Sequence, residues 1–270
     1  MKKPILLAMT LCFIFMLAAC GSSEKTTSTG GKASNKDSGS LADIKKKGVI
    51  DIGIEGAYPP FNYFDKSNKL IGFDVDIANE ITKRMGVKPN YVATPWDTII
   101  GGLQSKKYAI IISSMAITEE RKQKVDFSDP YYHTGAQLFV NEDYSKIKDP
   151  KKDINGKKIG VAIGTTFEKK ATELGATIVN YKSDLLTFQD LANKRVAGVI
   201  TDKAVGSRMI KEKGYKFKAV GDMLYKDAAG ITLNKHEDAL KAEINKHLKD
   251  MMEDGTYEAI SKKWFGEDIR

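Results

Sequence analysis

The sequence predicts an α/β fold in which two α/β lobes are joined by a two-stranded hinge. Patterns typical of strands and helices alternate over residues 49–113, and the same alternation restarts over residues 158–220. Strands that alternate with helices of about ten residues indicate βαβ units built on a parallel sheet. Extended patterns occupy Tyr132–Val140 and Leu224–Leu233, so we expect two chain crossings between separate units rather than one long sheet.

The elements of the first unit follow from hydrophobic spacing and from start and stop residues. Apolar residues alternate in Val49–Ile54, as in a strand, and recur at Ile77, Ile81 and Met85, as on one face of a helix that ends at Gly86. Further predicted elements are a helix from the capping-box-like Ser40–Asp43 to Gly48, a strand over Val87–Ala93, a helix over Trp96–Ser105 and a buried strand over Tyr108–Ser113.

The second unit repeats this alternation, and two helices then complete the chain. The predicted strands are Lys158–Ile163, Ala176–Tyr181, Val196–Thr201 and Phe217–Val220, and the predicted helices are Thr165–Leu174, Asp184–Asn193, Lys203–Lys213, Glu237–Glu253 and Tyr257–Trp264. If the last helices return to the first unit, lobe 1 comprises residues 41–134 plus 228–270, and lobe 2 comprises residues 135–227. Such an arrangement can close over a ligand between the lobes.

The first forty residues are not expected to be part of this fold. Residues 1–19 combine two lysines, an uncharged apolar run and small final residues, as in a secretory signal peptide, although a buried N-terminal helix or short anchor is an alternative. Leu17–Gly21 resembles the lipobox of bacterial lipoproteins, which implies cleavage before Cys20 and a lipid on its thiol. The polar stretch over residues 21–40 then serves as a flexible tether.

Composition excludes several kinds of site from the body of the protein. Both cysteines, Cys12 and Cys20, lie in the leader and the lipobox, so the body has neither a disulfide nor a cysteine-based zinc site. The formal charge is +8, or +6 without residues 1–19, and the lysines are interspersed with acids. This pattern favours solvated helix faces over a nucleic-acid surface. We expect no metal, no cofactor, no nucleic-acid partner and a monomer.

A basic residue near a strand end is the first candidate for ligand binding. The predicted strand ends at Ser113, and ligands of α/β units bind beyond the carboxyl ends of strands. Thr118 is a suitable N-cap for a short helix, which puts Arg121 in the first turn, where the helix dipole disfavours a cation. Arg121 there suggests an anionic ligand such as a carboxylate, and a surface arginine is the alternative.

The second unit has polar residues at equivalent strand ends. Thr165 and Thr166 follow Gly164 at a helix start, where free N–H groups attract an anion, unless they merely cap the helix. Asp202 closes a buried strand and could accept from an ammonium group or cap the next helix. Glu55, Tyr58 and Phe61 follow the first strand, and Trp96 begins a later helix. These residues could hold the cationic side chain of a ligand, or they could be core residues.

The chain also resembles the polar amino-acid-binding proteins of bacterial ABC importers, which are solute-binding proteins of family 3. The likeness runs in order through residues 41–270, and its motifs are Ile52–Phe61, Gly72–Asp76, Ile111–Arg121, Asp126–Tyr132 and Lys262–Gly266. It implies a type II periplasmic-binding-protein fold. It further implies a lipid-anchored protein on the extracytoplasmic face of the cell membrane, which passes its ligand to ABC permease and ATPase subunits.

The resemblance implies roles for particular residues. Arg121 matches the arginine that grips the α-carboxylate of the ligand, Thr166 matches a donor to that carboxylate, and Asp202 matches the acceptor of the α-ammonium. The remaining expected ligand contacts are Ser113, Ser114, Tyr58, Trp96, Glu55, Thr165, Phe167 and Ala116.

The resemblance leaves the preferred side chain open. Glu55, Ala116 and Phe167 depart from the basic-amino-acid binders, which commonly have Asp, Ser and a polar residue there, and Trp96-Asp97 looks like the cystine binders. A basic amino acid or cystine is therefore expected. The alternatives are a dehydratase-like enzyme on the same fold and a ligand-sensing module. We expect a binder and not an enzyme, because the grip on a zwitterion is complete and no catalytic histidine motif is present.

Overall fold

The computed structural model describes residues 40–270, so the predicted signal peptide, the Cys20 lipid site and the tether up to residue 39 lie outside the described residues. In chain order the elements are α1 (Leu41–Lys47), β1 (Val49–Ile54), β2 (Ala57–Tyr58), β3 (Asn62–Phe64), β4 (Leu70–Ile71), α2 (Phe73–Met85), β5 (Lys88–Ala93), α3 (Trp96–Gln104), β6 (Ile110–Ile111), α4 (Glu119–Lys122), β7 (Asp126–Asn141), α5 (Pro150–Asp153), β8 (Lys158–Ala162), α6 (Thr166–Glu173), β9 (Thr177–Tyr181), α7 (Asp184–Ala192), β10 (Gly198–Asp202), α8 (Lys203–Lys213), β11 (Phe217–Leu233), α9 (Asp238–Glu253) and α10 (Thr256–Phe265). Within this range no helix is both long enough and apolar enough to cross a membrane.

The strands form two groups on either side of a long central ribbon. The order of the main sheet is β5-β1-β6-β11-β7-β10-β8-β9. Strands β1, β5 and β6 pair in parallel and form the first strand group; β8, β9 and β10 pair in parallel and form the second. The central pair, β7 and β11, is antiparallel and extends from Asp126–Leu233 at one end to Asn141–Phe217 at the other. The two α/β units and the two crossings are therefore present.

The central ribbon also corrects two details of the expected fold. The units were expected to be separate sheets, but β6 bonds to β11 and β10 bonds to β7, so hydrogen bonding is continuous through eight strands. The expected short strand Phe217–Val220 and the crossing Leu224–Leu233 are parts of β11. The sequence predicted a break in the strand at residues 221–223. Instead the strand continues through them with a register shift between Val220 and Tyr225, where Gly221 has φ +63°.

Two further differences lie near strand ends. The strand expected over Tyr108–Ser113 pairs only at Ile110–Ile111, because the chain turns soon afterwards and Ser114 takes a left-handed φ of +55°. The segment expected to consist of turns after β1 contains the small sheet β2-β3-β4. Its strands are two or three residues long, too short to show a period of two in the sequence.

Predicted helix ends are confirmed where a cap residue was identified. The hydroxyl of Ser40 accepts a hydrogen bond from the Asp43 N–H at 3.3 Å, and Gly48 ends α1 with φ +68°. Glycine adopts this left-handed backbone conformation readily, because it has no Cβ to clash. Helix α8 spans Lys203–Lys213, as predicted.

An aromatic cluster fills the core between α2, α10 and the ribbon. Phe73 is fully buried at the start of α2, and its ring lies 6.0 Å from Tyr131, 5.9 Å from Tyr257 and 5.2 Å from Phe265. Phe61 stacks on Tyr132 at 4.9 Å in the same cluster. Phe61 is therefore a core residue, which was one of its two predicted roles. The contacts of Phe73 with Tyr257 and Phe265 place α10 against α2 in the first half of the chain.

Replacing Phe73 by alanine should lower the free energy of unfolding by about 3–5 kcal/mol, since it leaves a cavity among rings that cannot collapse onto it. The matched control is Phe64→Ala, because Phe64 is 42% exposed and should contribute only about 0.5 kcal/mol. Denaturant unfolding of both variants measures the difference. Equal losses would contradict this description of the core.

Candidate functional site

The carboxyl ends of strands from both groups meet around one cavity. Strands β1, β6, β8 and β10 each end at its wall, as expected for ligand sites of α/β units. All eleven residues that were predicted to bind ligand line this cavity: Glu55, Tyr58, Trp96, Ser113, Ser114, Ala116, Arg121, Thr165, Thr166, Phe167 and Asp202. Their contact with a ligand remains a prediction, but their convergence is a property of the fold.

Arg121 is held in place by main-chain groups. The hydroxyl of Thr118 caps α4 by accepting from the Arg121 N–H at 3.2 Å. The guanidinium donates to the carbonyl oxygen of Ala116 at 2.9 Å and lies 5.3 Å from the centre of the Trp96 ring. Burial lowers the pKa of Arg121, and the negative charge of Asp227 opposes that effect. An arginine fixed in this way retains N–H groups for an anion, since its fork has more donors than these contacts use.

Contacts bridge the cavity between the two strand groups. The carbonyl oxygen of Gly164, after β8, accepts from Nη2 of Arg121 at 3.3 Å and from Nε1 of Trp96 at 3.3 Å. Nearby, Lys169 pairs with Glu120 at 3.8 Å. Residues from the two strand groups therefore contact each other across the site.

The threonines at the start of α6 have different local roles. The Thr165 hydroxyl donates to the carbonyl oxygen of Ala162 at 2.6 Å and accepts from the Glu168 N–H at 3.2 Å. It is thus the helix N-cap, which was the alternative interpretation. Thr166 instead directs its hydroxyl towards Asp227, at 3.4 Å from Oδ2. Both threonines line the cavity, and of the two only Thr165 uses its hydroxyl to cap the helix.

The side chain of Asp202 has two functions at once. It caps α8 by accepting from the Ala204 N–H at 2.7 Å, and it lines the cavity. Burial raises its pKa to about 7. Capping and ligand binding were alternatives in the sequence, and the structure is compatible with both because a carboxylate can accept several hydrogen bonds.

The two serines are tied to the scaffold around them. The Ser113 hydroxyl accepts from the Glu55 N–H at 3.0 Å. The Ser114 hydroxyl donates to Asp74, a fully buried carboxylate that also accepts from Asn62 and Tyr131. The Ser114 side chain is therefore committed to holding its own loop. Burial raises the pKa of Asp74 to about 6, against the effect of its three donors.

The cavity wall holds more acidic than basic side chains, which sequence reasoning did not foresee. Arg121 is the one basic side chain on its wall among residues 40–270, whereas Glu55, Asp184, Asp202 and Asp227 are all present. Burial, with the charge of Asp184 added, raises the pKa of Glu55 to about 8. Burial likewise raises the pKa of Asp184 to about 6 and that of Asp227 above its usual range. Within the described part of the chain, the wall therefore combines four buried or partly buried carboxyl groups with one guanidinium.

The residues that sequence reasoning missed share recognisable positions. Asp184 starts α7 just after β9, so the rule that identified Asp202 would have found it. Asp227 and Thr134 lie within the central ribbon, where an extended crossing gives no sign of which residues face a cavity. The additional lining residues are Tyr132, Thr134, Ala162, Asp184, Asp227 and Ala229.

Comparison with known proteins places the chain among binding proteins. Residues 50–267 match the family described as bacterial extracellular solute-binding proteins, family 3. The L-cystine-binding protein TcyA of Bacillus subtilis (strain 168) is 35% identical over 271 residues, which cover 100% of this chain and 99% of that protein.

Solved structures share both sequence and fold with this chain. A crystal structure of a mutant of ArgBP from T. maritima aligns with a TM-score of 0.80 at 33% identity, over 84% of this chain and 99% of that one. The ancestral amino-acid-binding protein AncCDT-1, a precursor of cyclohexadienyl dehydratase, aligns with a TM-score of 0.79 at 37% identity, over 83% and 99%. These likenesses confirm the expected fold class, that of the type II periplasmic binding proteins.

The raised pKa of Glu55 leads to a prediction about stability and pH. Its folded pKa of about 8 exceeds its ordinary value of 4.5, so between these values the folded protein binds more protons than the unfolded chain. Stability from this group is complete below about pH 4.5 and is lost as the pH rises through about 8. Asp184 and Asp202 act in the same direction at lower pH.

We expect Glu55→Gln to reduce the loss of ligand-free stability between about pH 5 and about pH 8 by roughly 1–2 kcal/mol. Calorimetric melting of ligand-free protein across that range measures it. Glu253→Gln is the control, because Glu253 is exposed. A pH dependence equal to that of the wild type in Glu55→Gln would contradict the burial of this carboxyl.

Proposed function

This chain belongs to family 3 of the bacterial extracellular solute-binding proteins, and we propose that it captures a polar L-amino acid in the cavity and delivers it to a membrane permease. A basic amino acid or cystine is the expected ligand. TcyA is named for L-cystine and ArgBP aligns over most of the chain. The acidic cavity independently supports a ligand with cationic groups.

The observation that carries this proposal is the placement of opposite charges from opposite strand groups. Arg121 follows β6 and Asp202 ends β10, and both line one cavity with Thr166. An α-amino acid carries a carboxylate and an ammonium on one carbon. In the proposed complex Arg121 and Thr166 bind the carboxylate, while Asp202 binds the ammonium. Bidentate and charge-assisted hydrogen bonds make such contacts strong and specific.

We further propose that capture occurs by closure of two lobes. The lobes would be residues 41–134 plus 228–270 and residues 135–227, with the central ribbon as the hinge. A ligand that contacts both lobes binds the closed form better and so shifts the balance towards it. The contacts of Gly164 with Arg121 and Trp96 support a closed form in which the lobes meet at the ligand.

The location and the transport partners are part of the same proposal. The protein would be anchored through a lipid on Cys20 at the extracytoplasmic face of the cell membrane, as a monomer. It would release its ligand to the permease and ATPase subunits of an ABC importer. The signal-peptide pattern, the lipobox-like Leu17–Gly21 and membership of an extracellular family support this placement.

A dehydratase-like enzyme is the second candidate. It is favoured by the likeness to AncCDT-1, whose description connects it to cyclohexadienyl dehydratase. Turnover of prephenate or arogenate by the pure protein would support that alternative. Binding of amino acids without turnover would support capture.

Isothermal titration of the purified full-length protein, freed of carried-over ligand, against L-amino acids, ornithine and cystine tests the proposal. We expect one or a few related ligands to bind. Arg121→Ala and Asp202→Ala should each weaken that binding by about 100-fold or more, because each leaves a ligand charge buried and unpaired, at a cost of about 3–5 kcal/mol.

Arg195→Ala is the matched control, since the Arg195 side chain is 69% exposed and pairs with Asp190 on the surface. Thermal melting checks that the variants are folded; Asp202→Ala should lose about 1 kcal/mol with its cap. Near-native affinity in either cavity variant would refute the assignment of the site.

Membrane attachment has its own test. Cys20→Ala should move the protein from the membrane fraction to the soluble or secreted fraction of a bacterial host that processes lipoproteins, because no thiol remains for the lipid. Fractionation with immunoblotting measures this. Cys12→Ala, within the leader, should leave the distribution unchanged. Full membrane retention of the Cys20 variant would contradict anchoring at this residue.

A further inference from the structure

Asp184 is a buried carboxylate that lines the ligand cavity. It lies at the first position of α7, just after β9, and only 2% of it is exposed. Its Oδ1 atom makes no well-formed hydrogen bond among the described residues, and the Thr201 hydroxyl, which lowers the pKa of Asp184, also lacks one. Leaving such an atom unpaired is costly, and natural proteins rarely do so without a reason. The side chain lines the ligand cavity, so the missing partner can be a ligand group.

Glu55 belongs to the same region of the cavity but comes from the other strand group. It follows β1, and its negative charge and that of Asp184 influence each other. Within residues 40–270 neither side chain is in an ion pair, and Arg121, the basic residue on this wall, is held by Ala116 and Gly164. No group of three or more metal-ligating side chains exists in that range either. Two acids therefore face the cavity without a protein cation.

We propose that Asp184 is a specificity-determining residue that forms, with Glu55, a subsite for a second cationic group of the ligand. This inference rests on the proposed function, in which Asp202 binds the α-ammonium. The shared chemistry is an amine or guanidinium several bonds from the α-carbon. A dibasic amino acid carries one at the end of its side chain, and cystine carries one as its second α-ammonium.

The energetics explain why such a subsite selects strongly. Without ligand, the paired acids are desolvated and repel each other, which holds them partly protonated. A ligand cation restores the missing electrostatic partner and is itself satisfied by two carboxylates. A neutral ligand of similar shape would leave the acids as they were and gain nothing from them. Discrimination therefore depends on charge rather than on side-chain length.

This role separates Asp184 from a purely structural residue. Removing the charge of a structural residue with good partners destabilises the protein. Removing an unpaired buried charge should leave the ligand-free protein at least as stable, while lowering the affinity for a ligand with two cations. Stability and affinity should thus change in opposite directions.

The experiment is titration of wild-type, Asp184→Asn and Asp222→Asn full-length protein with L-arginine and its neutral isostere L-citrulline, with L-lysine and L-norleucine, and with L-cystine. The wild type should prefer arginine to citrulline, or lysine to norleucine, by about 100-fold, or else bind cystine. Asp184→Asn should lower the affinity for the favoured ligand by about 10-fold or more, without lowering the melting temperature of the ligand-free protein. Asp222 is exposed on β11, so its variant, with the same loss of charge, should match the wild type.

The outcomes separate the hypotheses. Binding of arginine or lysine identifies a side-chain cation, and binding of cystine alone identifies a second α-ammonium; both support the subsite if Asp184→Asn weakens them. Unchanged affinity and selectivity in that variant would overturn it, as would a wild type that binds only neutral amino acids. A wild type that binds no amino acid would instead refute the proposed function. Should Asp184→Asn fail to fold, Glu55→Gln and the wild-type arginine-to-citrulline ratio decide.

Discussion

The antiparallel pairing of β7 with β11 is the interaction on which the rest of this structure depends. Within residues 40–270 it is the only strand pairing that connects the two strand groups, and it extends between the ends of both strands with register shifts along the way. Because β6 joins it near Leu233 and β10 joins it near Ala136, the carboxyl ends of strands from both groups face one cavity. The register of a single ribbon thus sets the distance between Arg121 and Asp202.

Hydrogen bonds to the surrounding protein hold several side chains of the cavity wall in fixed positions. Asp74 accepts from Asn62, Ser114 and Tyr131, and this buried network holds Ser114 in a left-handed conformation that would otherwise be strained. Arg121 is positioned by carbonyl oxygens in the same way. The wall is therefore preorganised, so binding energy is not spent on ordering it.

The buried acidic side chains of the cavity are unfavourable for the stability of the ligand-free protein. Glu55, Asp184 and Asp202 have pKa values raised by burial, and together they outnumber the single arginine. Such an excess is unfavourable in the empty protein, because charges are removed from water without a partner. A ligand with two cationic groups and one carboxylate, as proposed above, would offset it. Destabilised groups concentrated at one place are typical of a binding site rather than of a core.

Local patterns in the sequence were sufficient for most of the elements, for the caps and for seven residues of the cavity, and the family resemblance supplied Ser113, Ser114, Ala116 and Phe167. Periodicity and capping act within a few residues, which is why Lys203–Lys213 and the start of α1 were predicted closely, and the strand-end rule identified Thr166 and Asp202. Packing between distant segments determined the remainder. Three features depend on which segments face each other and on how far water is excluded. They are the continuity of β11, the 3.4 Å contact of Thr166 with Asp227 sixty-one residues away, and the unpaired Oδ1 atom of Asp184. Neither burial nor distance between such segments is encoded in any short stretch of sequence, so these features appear only when the chain is folded.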